Sequence, residues 1–556
     1  MDFNLNKLLK YYTMRSNNFL TSVLLSALAI AGIGCEKVLD EAPYNAFTDE
    51  SVFTSPERAT LALNGVYDGA QTGGPTLGGR GYPFGAANVQ QGDNRGEDMV
   101  NLAAFYQFTY QGTYNPGTTN NVAFWDNTYS LINKANIAID GFKKAGTSGV
   151  LTAATATAFE AECRFLRALG HLEMMTHFAR PYLDGAGSKL GIPYRENAIT
   201  GPATLDLLKT EPRPTVAYDY QRIINDLNFA ETNLPLVQTL GPIRATRGAA
   251  IAIKMRAYMH MGKWDSVRFE GNKLIPATLT PLTPATTTSV VGGYTLQANP
   301  GGSFGFAGLN SVSSENIFTI KNDPLDNSSV NGSLAGMYGS ADLAGRGLVS
   351  ISPIIWNRTD WLATDLRRSQ LYRQAPTFNG ASVATGQAIL TTKYTDYVGR
   401  GDNNPIIRWA EVLLMQAEAE ARLSVGTVSQ RAVDLLNMVR NRSSASPATT
   451  QYTLASFIND TEEVGAILLE RRIELLAEGK RWADIHRTAL DPITALRPEG
   501  IPAKIVNGTS GMGIYGIGVA VSPGQPAIPY SDFRFIWPLP VGEVSQNPIV
   551  VQNPGY

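Results

Sequence analysis

Helical periodicity fills two separated stretches of this chain, residues 55–264 and 408–486. The segment between them, 276–404, is dominated by Gly, Ser, Thr and Asn and has no such period. An amphipathic helix has to bury its apolar stripe on another element. The chain is therefore expected to be mainly α, with the middle segment leaving the helical body as ordered excursions around Tyr338, Trp356, Trp361 and Tyr372. Ser55-Pro56-Glu57 supplies an N-cap, a proline at the first helical position and an acid at the positive end of the dipole. Leu61, Asn64, Gly65 and Tyr67 are expected on that helix's buried stripe. Further helices are predicted over 124–136, 155–178, 215–233, 246–263, 408–423, 433–440 and 463–486, and a short β-like piece over 316–320. Residues 71–117 and 498–530 are rich in Gly, with aromatics in the first and Pro in the second, and read as extended loops.

Composition narrows the class. Of the 556 residues 44% are hydrophobic and 17% charged, which describes a globular chain, and a net charge of −2 gives no general attraction for a phosphate backbone. Nucleic acid is not an expected partner. The only cysteines are Cys35 and Cys163, so no disulfide framework is expected and stability must come from packing.

Cys35 closes an apolar leader, 19–34, that follows Lys7, Lys10 and Arg15. A basic start, an apolar run and small residues before the cut describe an export signal. The run is about 15 residues, short of the roughly 20 that a helix needs to cross a bilayer. A cysteine directly after Gly34 is where a bacterial lipoprotein is cut and acylated, so outer-membrane lipid attached to Cys35 is expected to anchor the chain. Met14 is an alternative start to Met1.

The chemistry-bearing residues argue against catalysis. Glu470, Arg471, Arg472, Glu474, Glu478, Arg481, Asp484 and Arg487 recur at helical spacings of three, four and seven, the pattern of ion pairs between helices. Glycoside hydrolysis needs two carboxylates about 5 to 9 Å apart across a sugar, and nothing in the sequence selects such a pair. His171, His177, His260 and His486 fall on predicted helices without zinc spacing. No metal or cofactor is expected, and no nucleotide-binding or Ser-nucleophile motif occurs. Sugar recognition needs flat rings for stacking and Asp, Asn or Arg for hydroxyls. Tyr82, Phe84, Asp93, Asn94, Arg95 and Tyr106 in the first loop region, and Tyr338, Arg346, Trp356 and Trp361 in the second, are the candidate ligand residues, expected to face outward in part.

Antiparallel helix pairs with small residues such as Ala249, Ala250, Ala252 and Ala257 are similar to degenerate tetratricopeptide units, with an irregular bundle as the alternative. Ordered blocks along the chain carry a more specific likeness. They include Leu39-Asp40-Glu41 after Cys35, Leu63-Asn-Gly-Val-Tyr67, Ile132-Asn-Lys-Ala-Asn136 and Ala161-Glu162 with Arg164-Phe165 and Arg167-Ala168. Later come Ile407-Arg-Trp-Ala-Glu-Val-Leu-Leu-Met-Gln-Ala-Glu-Ala419, Glu470-Arg-Arg-Ile-Glu-Leu-Leu-Ala-Glu-Gly-Lys-Arg-Trp-Ala-Asp484 and the closing Gln552-Asn-Pro-Gly-Tyr556. Together they resemble the SusD/RagB-like nutrient-binding outer-membrane lipoproteins of Bacteroidetes. The resemblance implies a tetratricopeptide-like helical-hairpin scaffold with a large loop-rich half. It also implies a SusC-like TonB-dependent transporter as partner, an oligosaccharide or peptide as ligand, and no bond made or broken. A surface glycan-degrading enzyme and a structural adaptor of an outer-membrane complex are the competing readings. The expected parts are a signal peptide (1–34), a lipid-anchored tether (35–50), an N-terminal helical part (51–275), a loop-rich insertion (276–404) and a C-terminal helical part (405–556).

Overall fold

A computed structural model describes residues 52–74, 80–275, 288–305, 313–378 and 384–556; Cys35, the leader and the tether lie outside them. Helices of six or more residues are numbered here in chain order. They are α1 (Pro56–Gln71), α2 (Ala86–Arg95), α3 (Thr119–Thr147), α4 (Ala153–Phe178), α5 (Pro202–Leu208), α6 (Val216–Asn233), α7 (Arg247–His260), α8 (Trp264–Asn272), α9 (Trp409–Leu423), α10 (Gln430–Arg442), α11 (Asp460–Glu474), α12 (Arg481–Thr488) and α13 (Val541–Gln546). Local sequence sets their starts. Ser55, Thr152, Thr215, Thr246, Ser429 and Asn459 each cap the following helix by accepting a backbone N–H, and Pro56 occupies the first turn of α1.

The long helices pack in succession, α3 on α4, α4 on α6, α6 on α7, α7 on α8, α8 on α9, and α9 on both α10 and α11. This relay is how helices from the two periodic stretches come to share one apolar core, which includes Phe165, Leu169, Ile253, Trp409, Leu413 and Trp537. Cys163 lies inside it on α4, where burial raises its thiol pKa well above the usual range. The middle of the chain contributes small antiparallel pairs: β1 (Met99–Asn101) with β3 (Val349–Ile351), β2 (Asn316–Ile320) with β6 (Asn404–Arg408), and β4 (Tyr372–Phe378) with β5 (Ala384–Thr391). The mainly α expectation and the strand at 316–320 agree with these elements.

Three local expectations need correction. On α1 the buried stripe is Ala59, Leu63, Val66 and Ala70, while Leu61 is 62% exposed and Asn64 and Gly65 face solvent. The first loop region contains α2, a helix buried on nearly every side and filled with polar residues, of which Gln90 and Asn94 have no side-chain hydrogen-bond partner among the described residues, so it shows no alternation of apolar and polar faces to read. Residues 463–486 form two helices, because Ala477 and Gly479 take positive φ values of 66° and 75° and turn the chain between α11 and α12. A side chain at Gly479 would meet the backbone of Val89 at 2.9 Å, and one at Gly92 would meet the Gly479 carbonyl at 2.6 Å. The turn is thereby clasped against α2, which places the loop-rich half directly on the second charged helix pair.

Candidate functional site

The charged blocks form a buried lattice of ion pairs. Arg408, at the end of β6, reaches Glu474 at 3.1 Å and Glu478 at 2.8 Å, while Lys393 reaches Glu478 at 2.6 Å. Arg442 bridges Glu315 and Glu474 at 2.6 Å each, and Arg367 meets Glu470 at 2.7 Å. Burial alone would raise the Glu474 pKa, but Arg442, Arg408 and Arg367 more than reverse it and hold the carboxylate well below its usual range. On α12, Arg487 is held by Glu418 and Asp484 at 2.8 and 2.7 Å. These acids face cations rather than an open cleft, as the helical spacing suggested.

The ten candidate ligand residues separate by exposure. Eight are buried: Tyr82, Phe84, Asp93, Asn94, Arg95, Tyr106, Tyr338 and Trp361. Asp93 accepts the Tyr338 hydroxyl at 2.6 Å and the Gly479 N–H at 3.0 Å, and burial pushes its carboxyl up to about 7. The Arg95 guanidinium lies 3.4 Å from the centre of the Trp482 ring and donates to His177 Nδ1 at 3.2 Å and to the Phe535 carbonyl at 2.5 Å. Tyr82 accepts from Gln91, the Phe84 carbonyl accepts from Asn404, and the Asn94 carbonyl accepts from the buried Lys504 ammonium. Trp361 sits in a cluster with Trp356 and Tyr372, beneath the Arg368 guanidinium. These side chains pack into the body instead of presenting an outward aromatic face, although among the described residues the Asn94 amide, the Tyr106 hydroxyl and Trp361 Nε1 have no hydrogen-bond partner. Arg346 and Trp356 keep partial exposure.

A different group reaches the surface beside them. The Arg80 guanidinium lies 5.2 Å from the Phe105 ring centre, and Phe105 stands edge-on to Tyr106 at 4.7 Å. Phe105 is half-buried and Phe108, three residues on, is 47% exposed. Burial raises the Tyr106 hydroxyl pKa, and the positive charges of Arg346 and Arg80, one from each loop region, oppose that rise. Arg346 also donates to Asn331. The sequence signal for this group is the run Ala104-Phe105-Tyr106-Gln107-Phe108, of which only Tyr106 was singled out. Two clefts open elsewhere, one of about 490 Å³ between α3, α5 and α13 and one of about 260 Å³ beside Tyr67 and Arg244. Neither is lined by any of the ten candidates.

Among the described residues no group of three or more His, Cys, Asp or Glu side chains is placed to hold a metal ion, and no helix is long and apolar enough to cross a membrane. All four imidazoles are buried. His171 stacks on Tyr194 at 3.8 Å, donates from Nδ1 to the Arg167 carbonyl and accepts the Arg195 N–H at Nε2. Burial lowers every one, His171 and His486 to about 3 and His177 and His260 well below the usual value. Because the folded values lie below the unfolded value near 6.5, this contribution to stability is full above about pH 6.5 and is lost as the pH falls. Asp93, held near 7, has the opposite sign, favouring the fold at low pH and losing that contribution as the pH rises through about 7. A proton NMR titration is expected to show no imidazole C2 proton moving between about pH 8 and 5; a midpoint near 6.5 would identify an exposed histidine.

The comparisons agree with this architecture. The family described as "SusD family" matches residues 380–556, and a second described as "Starch-binding associating with outer membrane" matches residues 37–259. SusD-like protein P2 of Formosa agariphila is 26% identical over 497 residues, covering 83% of this chain and 89% of the relative. A SusD superfamily protein from Bacteroides fragilis superposes with a TM-score of 0.69 at 25% identity, covering 90% of this chain and 99% of that one. The surface glycan-binding protein A of Bacteroides uniformis shares the fold, with a TM-score of 0.64 at 19% identity and coverage of 90% and 99%. With matching families at both ends, a relative along most of its length and the helical relay in common, the chain belongs to the SusD/RagB-like family.

Proposed function

We propose that this protein captures a neutral oligosaccharide at the cell surface and passes it, unaltered, to a SusC-like TonB-dependent outer-membrane transporter, tethered beside it by lipid on Cys35. The carrying observation is the surface group of Phe105, Arg80 and Arg346. It sets the Arg80 guanidinium 5.2 Å from the centre of a half-buried ring, while Arg346, from the other loop region, donates to Asn331. A ring face takes the C–H side of a pyranose and the guanidinium groups take its hydroxyls. Half-buried Trp356 is a further stacking surface of the same loop-rich half. The starch-binding description of the matching N-terminal family, and the glycan-binding neighbour, support a saccharide as the ligand class.

Glycan-array binding and calorimetry test this reading. Phe105→Ala and Arg80→Ala are each expected to weaken binding of the array's best saccharide by at least about tenfold, ~1.4 kcal/mol. Chromatography after prolonged incubation is expected to return that saccharide intact. Unchanged affinity in both variants would remove the surface group from the site, and released products would replace capture by catalysis.

A further inference from the structure

Between Glu499 and Asp532 the chain carries a single charged residue, Lys504, and it is 2% exposed. A lysine is almost never buried that far unless its Nζ has partners. Here both partners are main-chain carbonyls, that of Asn94 in the last turn of α2 at 2.5 Å and that of Tyr110 in the short helix Gln107–Gln111 at 2.9 Å. Neither carbonyl has another donor among the described residues. The carbonyls that end a helix lack an intrahelical partner and carry its negative pole, so one side-chain nitrogen serves two helix ends at once. Burial and Arg95 pull the Lys504 pKa down to about 7, opposed by Glu97, and the neutral amine still carries two N–H donors, so both forms can make the two bonds.

The contact runs in both directions. Lys504 Nζ lies 4.6 Å from the centre of the Tyr110 ring, and the Tyr110 hydroxyl donates to the Ile505 carbonyl at 2.7 Å. Gly112 ends the short helix at φ 67°, and a side chain there would collide with Ile528 of the same late segment. Lys504 is itself held from behind, its N–H donating to the Gln525 carbonyl at 3.0 Å and its carbonyl accepting the Gln525 N–H at 2.9 Å. The turn Ala104–Tyr106 runs straight into Gln107–Gln111, and one face of this stretch is spent inward: Tyr106 and Tyr110 are buried, and Thr109 donates to Gln91 of α2 at 2.7 Å. Phe105 and Phe108, three residues apart, keep accessible surface on the other face.

We infer that Lys504 is a positioning residue for the saccharide surface, an inference that rests on the function proposed above. It clasps the ends of α2 and of Gln107–Gln111 together from a segment about 400 residues later in the chain, and so fixes where the Phe105 and Phe108 rings stand. Lys504 touches no sugar. It acts through the short helix whose last turn it closes.

Hydrogen–deuterium exchange read by mass spectrometry tests it on the full chain carrying Cys35→Ser. Lys504→Met keeps the aliphatic stem and removes the donors. It is expected to speed exchange across residues 104–112 by at least about tenfold while α9 and α10 keep the parent rates. Binding of the saccharide that the glycan array ranks first is expected to weaken by about tenfold in Lys504→Met and by much less in a Phe105→Ala background, because residues that act through one another are not additive. Tyr110→Phe, which removes only the bond to Ile505, is expected to move both readouts the same way by less, and it decides the matter if Lys504→Met does not fold. Parent exchange rates across 104–112, or equal losses of affinity from Lys504→Met in the parent and in the Phe105→Ala background, would overturn the inference. Unchanged affinity in Phe105→Ala alone would remove the surface reading and the assignment of Lys504 to it, while the exchange rates still report the clasp.

Discussion

Glu474→Ala is expected to destabilise the protein by about 3–5 kcal/mol, the range for removing one partner of a buried ion pair. The reason is geometric. Glu474 is 2% exposed, and the guanidinium groups of Arg367, Arg408 and Arg442 converge on it at 3.0, 3.1 and 2.6 Å. Without the carboxylate, three buried guanidinium groups from separate parts of the chain lose the anion they share, and each is left with its other partners, Glu470 for Arg367, Glu478 for Arg408 and Glu315 for Arg442. Glu474→Gln keeps the shape and one acceptor and is expected to lose less. Chemical denaturation of both variants checks the order; a midpoint for Glu474→Ala equal to that of the parent would show the lattice to be dispensable. The same cluster sets an acid limit. The Glu474, Glu478 and Asp484 carboxyls are held below their unfolded values, so their contribution is full above about pH 4.3 and is lost as the pH falls through the folded values.

The second large effect is on transport. Cys35→Ala is expected to leave saccharide binding by the purified protein unchanged and to abolish growth of the parent bacterium on that saccharide as sole carbon source. The two readouts separate because the proposed tether and the binding surface are different parts of the chain. The described body begins next to Phe53, whose ring packs edge-on against Phe142 at 5.4 Å on α3. Residues 36–50 therefore stand between Cys35, the proposed acylation position, and the described body. A single acyl chain gives only marginal membrane binding, so more than one lipid chain on the mature terminus is required for a stable anchor. Normal growth of the variant would dismiss the lipid as a requirement for uptake.

The helical scaffold was legible because its caps and stripes are local signals. Thr215 and Thr246 cap where the periodic segments were read to begin, while Thr152 and Ser429 cap three and four residues ahead of the expected starts at 155 and 433. Helix α2 was not legible, since periodicity reports a difference between two faces and Gln90, Gln91, Asp93, Asn94 and Arg95 are buried together. The same physics hid the burial of eight of the ten candidate ligand residues. Residue type identifies a side chain that is able to bind a sugar, but Tyr338 spends its hydroxyl on Asp93 and Arg95 spends its guanidinium on Trp482, His177 and Phe535. Which aromatic is left over depends on partners hundreds of residues away, as with Phe105, whose accessibility follows from how Tyr106 beside it is buried. The charged blocks were readable because pairing at helical spacing constrains both partners at once, as with Arg487 and Asp484.

The contact between Gly92 and the Gly479 carbonyl has a thermodynamic consequence. It locks α2 to the turn between α11 and α12, and with Asp93 on Tyr338 it joins both loop regions to the ion-pair lattice. A surface held in that way has already lost its conformational freedom when the chain folds. An arriving saccharide then orders itself but little of the protein, so binding draws on only a small entropy loss from the receptor. Gly92→Ala would loosen this clasp, and its signature would be a more unfavourable binding entropy at nearly unchanged contacts.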